Sequence, residues 1–141
     1  MQDTASIVII GAGPGGLCMG AKLLEAGIDD FVILERADGV GGTWRHNTYP
    51  GAACDVQSHL YSFSFAPKVD WSRAYATQPE ILEYFEQFTK DFGLLPHLQL
   101  DTPVHGARWD DAHACWRVST SRGDVEANVL IGAVGMFGDL N

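Results

Sequence analysis

The stretch Ser6-Ile7-Val8-Ile9-Ile10-Gly11-Ala12-Gly13-Pro14-Gly15-Gly16 decides the fold of this 141-residue chain. Its first part is rich in β-branched residues and ends at a glycine, as is typical of a buried parallel strand in a sheet covered by helices on both faces. The glycines match the pattern Gly-x-Gly-x-x-Gly. The first glycine allows a tight turn, the second lets the backbone approach a pyrophosphate, and the third permits close packing of a helix on the strand.

A helix and a second strand are expected directly after this glycine loop. Residues from about Pro14 to Ala26 carry apolar side chains at helical spacing, and Gly27 is a typical C-terminal stop. Phe31-Val32-Ile33-Leu34 follows as a second buried strand. Residues 6 to 35 therefore predict one βαβ unit with a right-handed connection.

Glu35 stands at the end of the second predicted strand, 19 residues after Gly16. An acidic residue at this place typically accepts hydrogen bonds from the ribose hydroxyls of a bound dinucleotide. A 2′-phosphate would meet its charge unfavourably, which favours FAD or NAD over NADP, although the neighbouring Arg36 softens that argument. The alternative for Glu35 is a surface carboxylate that caps the strand.

The rest of the chain predicts one α/β domain. Residues 36 to 78 have little periodicity, and we expect a ligand to organise so long a loop. A helix is expected from Gln78 to Phe92, with its aromatic side chains in the core. A short strand is expected at 98–100, and strands at 104–109, 116–121 and 125–131 predict an antiparallel meander whose last strand returns to the parallel sheet. The turn signals are Asp110-Asp111-Ala112-His113 and Arg122-Gly123-Asp124.

Composition narrows the class of partner. The net charge of −9 argues against nucleic acid and against an anionic membrane surface. We find no signal peptide pattern and no apolar run that could span a membrane, so we expect a cytoplasmic protein. The three cysteines and five histidines show neither a disulfide framework nor a metal-ligand spacing.

A second motif indicates the chemistry. Gly41-Gly42-Thr43-Trp44 is followed after four residues by Tyr49-Pro50-Gly51, and after three more by Asp55. This pattern resembles a short fingerprint of the Baeyer–Villiger monooxygenases, flavoenzymes that insert oxygen beside a ketone carbonyl. The related disulfide reductases would carry a redox cysteine pair in this loop, but here Trp44 follows Gly-Gly-Thr and Cys54 has no nearby partner.

The resemblance implies an enzyme that uses FAD and NADPH, with a small-molecule ketone and O2 as substrates and an ester or lactone formed through a peroxyflavin. It implies that Asp55 is catalytic beside the flavin, that Val104 holds the adenine edge, and that Gly135 closes over the flavin pyrophosphate. Trp44, Tyr49 and Pro50 would wall the flavin ring. The expected cofactor-binding residues are Gly11, Gly13, Pro14, Gly16, Glu35, Arg36, Gly42, Thr43, Trp44, Asp55, Val56, Tyr61, Val104 and Gly135.

By the same resemblance, residues 1–141 are the N-terminal FAD-binding portion, and the NADPH domain, the C-terminal part and a catalytic arginine lie outside the chain. Two other functions stay open. One is a flavin monooxygenase that oxidises nitrogen or sulfur, against which the spacing from Trp44 to Asp55 argues. The other is a non-catalytic, truncated nucleotide-binding module, which an exposed apolar sheet edge would favour.

Overall fold

A computed structural model describes residues 3–136 of the chain, and in this range it contains three α-helices and one six-stranded sheet. Two short 3-10 turns, at Ser58–Leu60 and Leu95–His97, complete the regular structure of this range. The strands and helices, in chain order, are β1 (Thr4–Ile10), α1 (Pro14–Glu25), β2 (Phe31–Leu34), α2 (Thr43–His46), α3 (Gln78–Asp91), β3 (Leu98–Gln99), β4 (Val104–Asp110), β5 (Cys115–Thr120) and β6 (Gly123–Gly132).

The sheet is parallel at one end and antiparallel at the other. Its strand order is β3-β2-β1-β6-β5-β4, with β1 parallel to both β2 and β6. Strands β4, β5 and β6 pair antiparallel and form the expected meander. The predicted fold class, a Rossmann-like α/β domain with a βαβ unit and a small meander, is confirmed.

Two apolar clusters lie on opposite faces of the sheet, because successive side chains of a strand point to opposite sides. On one face Ile9 and Ile33 pack against Leu17 of α1 and Phe85 of α3. On the other face the alternate side chains of β1 and β2 pack against the meander, with Val118 fully buried. The expectation that helices cover both faces was wrong for the described residues, since the meander covers the second one.

Strand β6 links the two parts of the sheet. Residues 123–127 pair antiparallel with β5, and residues 126–132 pair parallel with β1. The return of the last strand to the parallel sheet is therefore confirmed, although Val129 on it keeps 46% of its surface exposed. The hairpin turn before it is tighter than expected, because Gly123 and Asp124 already belong to β6.

The long segment between β2 and α3 is held by its own side chains. Phe63 and Phe65 stack on each other and contact Phe88 of α3, with ring centroids 4.7 and 5.9 Å from that ring. The Tyr84 hydroxyl accepts a hydrogen bond from the Phe63 amide and donates one to the Ala66 carbonyl. Aromatic packing on α3 therefore orders much of the segment that we expected a ligand to organise.

Candidate functional site

A cleft of about 690 Å³ opens at the carboxyl ends of the parallel strands. Ile10 is the last residue of β1, and it pairs with Leu34 of β2 and Gly132 of β6, so the segments that follow these three strands meet there. This is where open α/β sheets bind their ligands. The cleft is lined by Ile10, Gly11, Gly13, Pro14, Leu34, Glu35, Arg36, Gly42, Thr43, His46, Asn47, Thr102, Pro103, Val104, Val134, Gly135 and Met136.

The glycine loop at residues 11–16 is built from close backbone contacts. Gly11 has a φ of +104°, and a Cβ there would lie 2.4 Å from the Ala133 carbonyl oxygen. A Cβ on Gly16 would lie 1.9 Å from the Gly11 carbonyl oxygen, so the first turn of α1 can approach the loop only without a side chain. Gly13 is the N-cap of α1 and provides no side-chain cap, so the backbone amides that follow Pro14 in the first turn can bind an anion.

Glu35 lies beside this loop and is only 5% exposed. One carboxylate oxygen accepts a hydrogen bond of 2.7 Å from the Ala12 amide, and the other accepts one of 2.9 Å from the Ala37 amide. Each carboxylate oxygen can accept a second hydrogen bond. The carboxylate therefore fixes the glycine loop and can still accept hydrogen bonds from hydroxyl groups in the cleft.

A second glycine loop, Gly41-Gly42-Thr43, lies against the first and contributes Gly42 and Thr43 to the lining of the cleft. Gly41 and Gly42 have φ angles of +121° and +55°, which disfavour residues with a Cβ. The Gly41 amide donates a 3.0 Å hydrogen bond to the Ala12 carbonyl, and a Cβ on Gly42 would lie 3.0 Å from the Cα of Gly13. The two glycine loops are thus in direct backbone contact, and an extended diphosphate could lie along both.

Not all the residues expected at the site line this cleft. Gly16 lies beneath the loop, and Trp44, Asp55, Val56 and Tyr61 lie outside the lining. Trp44 donates a 2.8 Å hydrogen bond from Nε1 to the Tyr61 hydroxyl, and their rings meet edge to face.

Tyr61 connects this second group to the acidic residue of the fingerprint. Burial raises the pKa of the Tyr61 hydroxyl, the hydrogen bond from Trp44 opposes that rise, and the charges of Cys54 and Asp55 add to it. Asp55 itself is exposed, and Val56 is 39% exposed. Tyr49, expected beside the flavin ring, is 63% exposed.

The structure adds residues to the cleft that sequence reasoning missed. Thr102 is fully buried, and its amide donates a 2.8 Å hydrogen bond to the Glu35 carbonyl. No periodicity points to this residue, because it follows an irregular turn at Asp101, whose φ is +50°. His46 and Asn47 also line the cleft. Their position inside the Trp44-to-Tyr49 interval of the fingerprint was the signal that could have found them.

Other classes of site find no support in the described part of the chain. Within residues 3–136, no three His, Cys, Asp or Glu side chains are grouped so that they could hold a metal ion. Cys18, Cys54 and Cys115 are all free thiols, so this region contains no redox disulfide. None of the helices described for residues 3–136 has the length and apolar character needed to cross a membrane.

The chain is similar to known flavin monooxygenases. It is 49% identical over 139 residues to a Baeyer–Villiger monooxygenase of Streptomyces coelicolor, which covers 99% of this chain and 27% of that protein. A crystal structure of cyclohexanone monooxygenase from Rhodococcus sp. Phi1 bound to NADP+ matches with a TM-score of 0.92 at 38% identity, over 100% of this chain and 28% of that one.

A further structure, of OTEMO in complex with FAD and NADP, matches with a TM-score of 0.90 at 30% identity, over 97% of this chain and 27% of that one. The chain thus spans about a quarter of the length of these relatives. Residues 8–141 match the family model described as pyridine nucleotide-disulphide oxidoreductase. The chain belongs to the pyridine nucleotide-disulphide oxidoreductase family, and its resemblance to the Baeyer–Villiger monooxygenases is confirmed.

Proposed function

We propose that this chain is the FAD-binding portion of an NADPH-dependent flavin monooxygenase of the Baeyer–Villiger type. The whole enzyme would convert a small ketone and O2 to an ester or lactone. Bound FAD, reduced by NADPH, supplies the oxygen-activating chemistry. The observation that carries the proposal is the buried Glu35 carboxylate in the lining of a cleft where two glycine loops touch.

In this proposal the residues of the chain bind and orient the dinucleotide. Glu35 accepts hydrogen bonds from the ribose hydroxyls of the adenosine, and Val104 lies beside the adenine. The amides at the start of α1 and the loop Gly41-Gly42-Thr43 hold the pyrophosphate, because free N–H groups and the helix dipole favour an anion there. Arg36 lines the same cleft and supplies a positive charge.

In this proposal Trp44 and Tyr61 are the residues that would lie beside the flavin ring. Trp44 provides rigid apolar surface and is held by its hydrogen bond to Tyr61. Asp55 is the proposed catalytic acid beside the flavin. Its side chain is exposed in this chain, so a group from another segment of a longer polypeptide could contact it. Gly135 also lines the cleft and would close over the pyrophosphate.

A flavin-retention experiment tests the binding half of the proposal. The purified chain is incubated with FAD, desalted, and examined by visible absorption together with Glu35→Ala. Glu126→Ala is the matched control, because Glu126 is a carboxylate 43% exposed in the meander. We expect retained flavin in the chain and in the control, and much less in Glu35→Ala. The absence of flavin from the unsubstituted chain, or equal retention by Glu35→Ala, would contradict the proposal.

A turnover experiment tests the chemical half. The longest natural polypeptide that carries this segment is incubated with NADPH and O2 in separate reactions with cyclohexanone, a thioether and a tertiary amine, and the products are identified by mass spectrometry. Formation of the lactone supports the proposed reaction. Oxidation of a thioether or amine without any lactone would instead favour the nitrogen- or sulfur-oxidising alternative. The cytoplasmic location stays a prediction from the sequence.

A further inference from the structure

The second glycine loop cannot hold its own position. It leads into α2, a helix of only four residues that has no side-chain cap at its N-terminus. Isolated helices of this length are unstable in water, because nucleation costs more than so few hydrogen bonds return. The position of Gly41-Gly42-Thr43 in the cleft must therefore come from contacts with other parts of the molecule.

Helix α3 provides those contacts from one face. Gln78, Leu82 and Glu86 are spaced four residues apart and so lie in one row along the helix. Gln78 donates a short hydrogen bond from Nε2 to the carbonyl of Trp44. Leu82 packs against the backbone of Gly41, because a Cβ on Gly41 would lie only 2.6 Å from the Cδ1 atom of Leu82. This row, which we term the α3 row, faces the second glycine loop.

Arg45 of α2 joins the α3 row to the backbone that precedes the loop. Its Nη2 donates to Glu86 at 2.9 Å, and its Nε donates to the Val40 carbonyl at 2.8 Å. Its Nη1 donates to Asp38 at 3.1 Å, although Asp38 is 80% exposed and so contributes little. The Arg45 side chain itself is only 24% exposed. The planar guanidinium thus makes hydrogen bonds in three directions, which a lysine ammonium on a flexible stem cannot reproduce.

Gly39 supplies the space for this arrangement. A Cβ on Gly39 would lie 2.1 Å from Nη2 and 2.2 Å from Cζ of Arg45, so the guanidinium lies directly on the glycine backbone. The φ of Gly39 is outside the left-handed region, and an alanine there is compatible with the backbone. A side chain at position 39 would therefore displace the Arg45 guanidinium, whereas the φ of Gly39 does not by itself call for glycine.

We propose that Arg45 is a positioning residue that fixes the second glycine loop against the first. Arg45 does not line the cleft and would not touch the dinucleotide. It acts by holding Val40, directly before Gly41, at a set distance from α3. The expected consequence is that the affinity for FAD depends on a side chain outside the binding surface. This consequence rests on the proposed function.

Hydrogen exchange of the FAD-free chain tests the position of the loop without any ligand. In Arg45→Met we expect the amides of residues 39–44 to exchange about tenfold faster, while β4 to β6 are unchanged. Gly39→Ala should have the same effect, because it displaces the guanidinium from the other side. Arg117→Lys is the matched control, since Arg117 also bridges two carboxylates but lies in the meander. Unchanged exchange at residues 39–44 in both Arg45→Met and Gly39→Ala would overturn the proposal.

FAD titration of the same proteins tests the consequence. We expect Arg45→Met to raise the dissociation constant for FAD about tenfold, Arg45→Lys to restore part of the loss, and Arg117→Lys to leave it unchanged. If Arg45→Met exchanges its loop amides faster but keeps the same dissociation constant for FAD, the position of the loop does not determine the affinity. If the unsubstituted chain binds no FAD, the proposed function fails for this chain, and the exchange result alone still decides the role of Arg45.

Discussion

The dinucleotide cleft and the meander share one sheet, but they are held together by different kinds of contact. In the cleft, backbone touches backbone at Gly11, Gly16 and Gly42, and the buried carboxylate of Glu35 accepts hydrogen bonds from two amides. In the meander, β4 to β6 are joined by antiparallel strand pairing, with one register shift between Val104 and Gly106, and by side chains near the surface, such as Asp110 with Arg117. A substitution that adds a Cβ to a glycine should therefore destabilise the cleft, whereas the meander should tolerate such a substitution.

The largest difference is expected for an added methyl group. Gly16→Ala places a Cβ 1.9 Å from the Gly11 carbonyl oxygen, so α1 must move away from the loop. We expect a loss of at least about 3 kcal/mol in the free energy of unfolding, together with loss of FAD binding.

Gly106→Ala is the control in the meander, because nothing lies within 4 Å of its Cβ position. A change within about 0.5 kcal/mol is expected there. Urea unfolding of both variants checks the pair, and equal effects would remove the distinction between the two regions.

A smaller difference is expected between two glutamates. In Glu35→Gln the new amide group can satisfy only one of the two backbone N–H donors, and the other is left buried without an acceptor. We expect a loss of about 1 to 3 kcal/mol in the free energy of unfolding. Glu126→Gln in the meander breaks a pair with Arg117 that is exposed on both sides, and a loss below about 1 kcal/mol is expected. A Glu126 effect as large as that of Glu35 would contradict the comparison.

A smaller difference is expected between two edge-to-face aromatic pairs, one beside the cleft and one in the meander. Trp44 with Tyr61 and Trp109 with Trp116 both have ring centroids 5.6 Å apart. Tyr61→Phe removes the acceptor of a partly buried hydrogen bond, and we expect a loss of about 1 kcal/mol. Trp109→Phe removes an exposed hydrogen bond to Asp111, and less than about 0.5 kcal/mol is expected. Thermal unfolding measured in parallel decides whether the bond at Trp44 is the stronger.

The sequence predicted the cleft better than the segment beside it, for a physical reason. Gly11, Gly13 and Gly16 are required by backbone contacts at fixed separations, so their spacing is visible in the sequence. Thr102 and Arg45 act through contacts that depend on how a loop and α3 pack on the sheet, and no local pattern reports them. The number of strands and the return of β6 followed from alternation and turn residues.

The errors have physical causes as well. The sequence could not show that the meander covers the second face of the sheet. Apolar strands have the same pattern whether a helix or a sheet packs on them. Residues 36 to 78 showed little periodicity, since Phe63 and Phe65 pack from an irregular backbone. Sequence patterns report repeating contacts, and these contacts do not repeat.

The smallest effect is expected in the meander, and it should depend on pH. Hydrogen bonds from Arg117 and His113 hold the pKa of Asp110 well below its ordinary value. Because the folded-state pKa is lowered, the stabilisation is present above the ordinary carboxyl pKa and is lost as the pH falls toward the folded-state value. Asp110→Asn should therefore lower the Tm slightly at neutral pH and flatten its decline between about pH 5 and pH 3. Asp124→Asn, an exposed carboxylate in the same meander, is the control and should leave the decline unchanged. An Asp110→Asn profile parallel to that of the unsubstituted chain would show that charge pairing does not stabilise the meander, and would leave the strand ladder and its apolar cluster as what holds it.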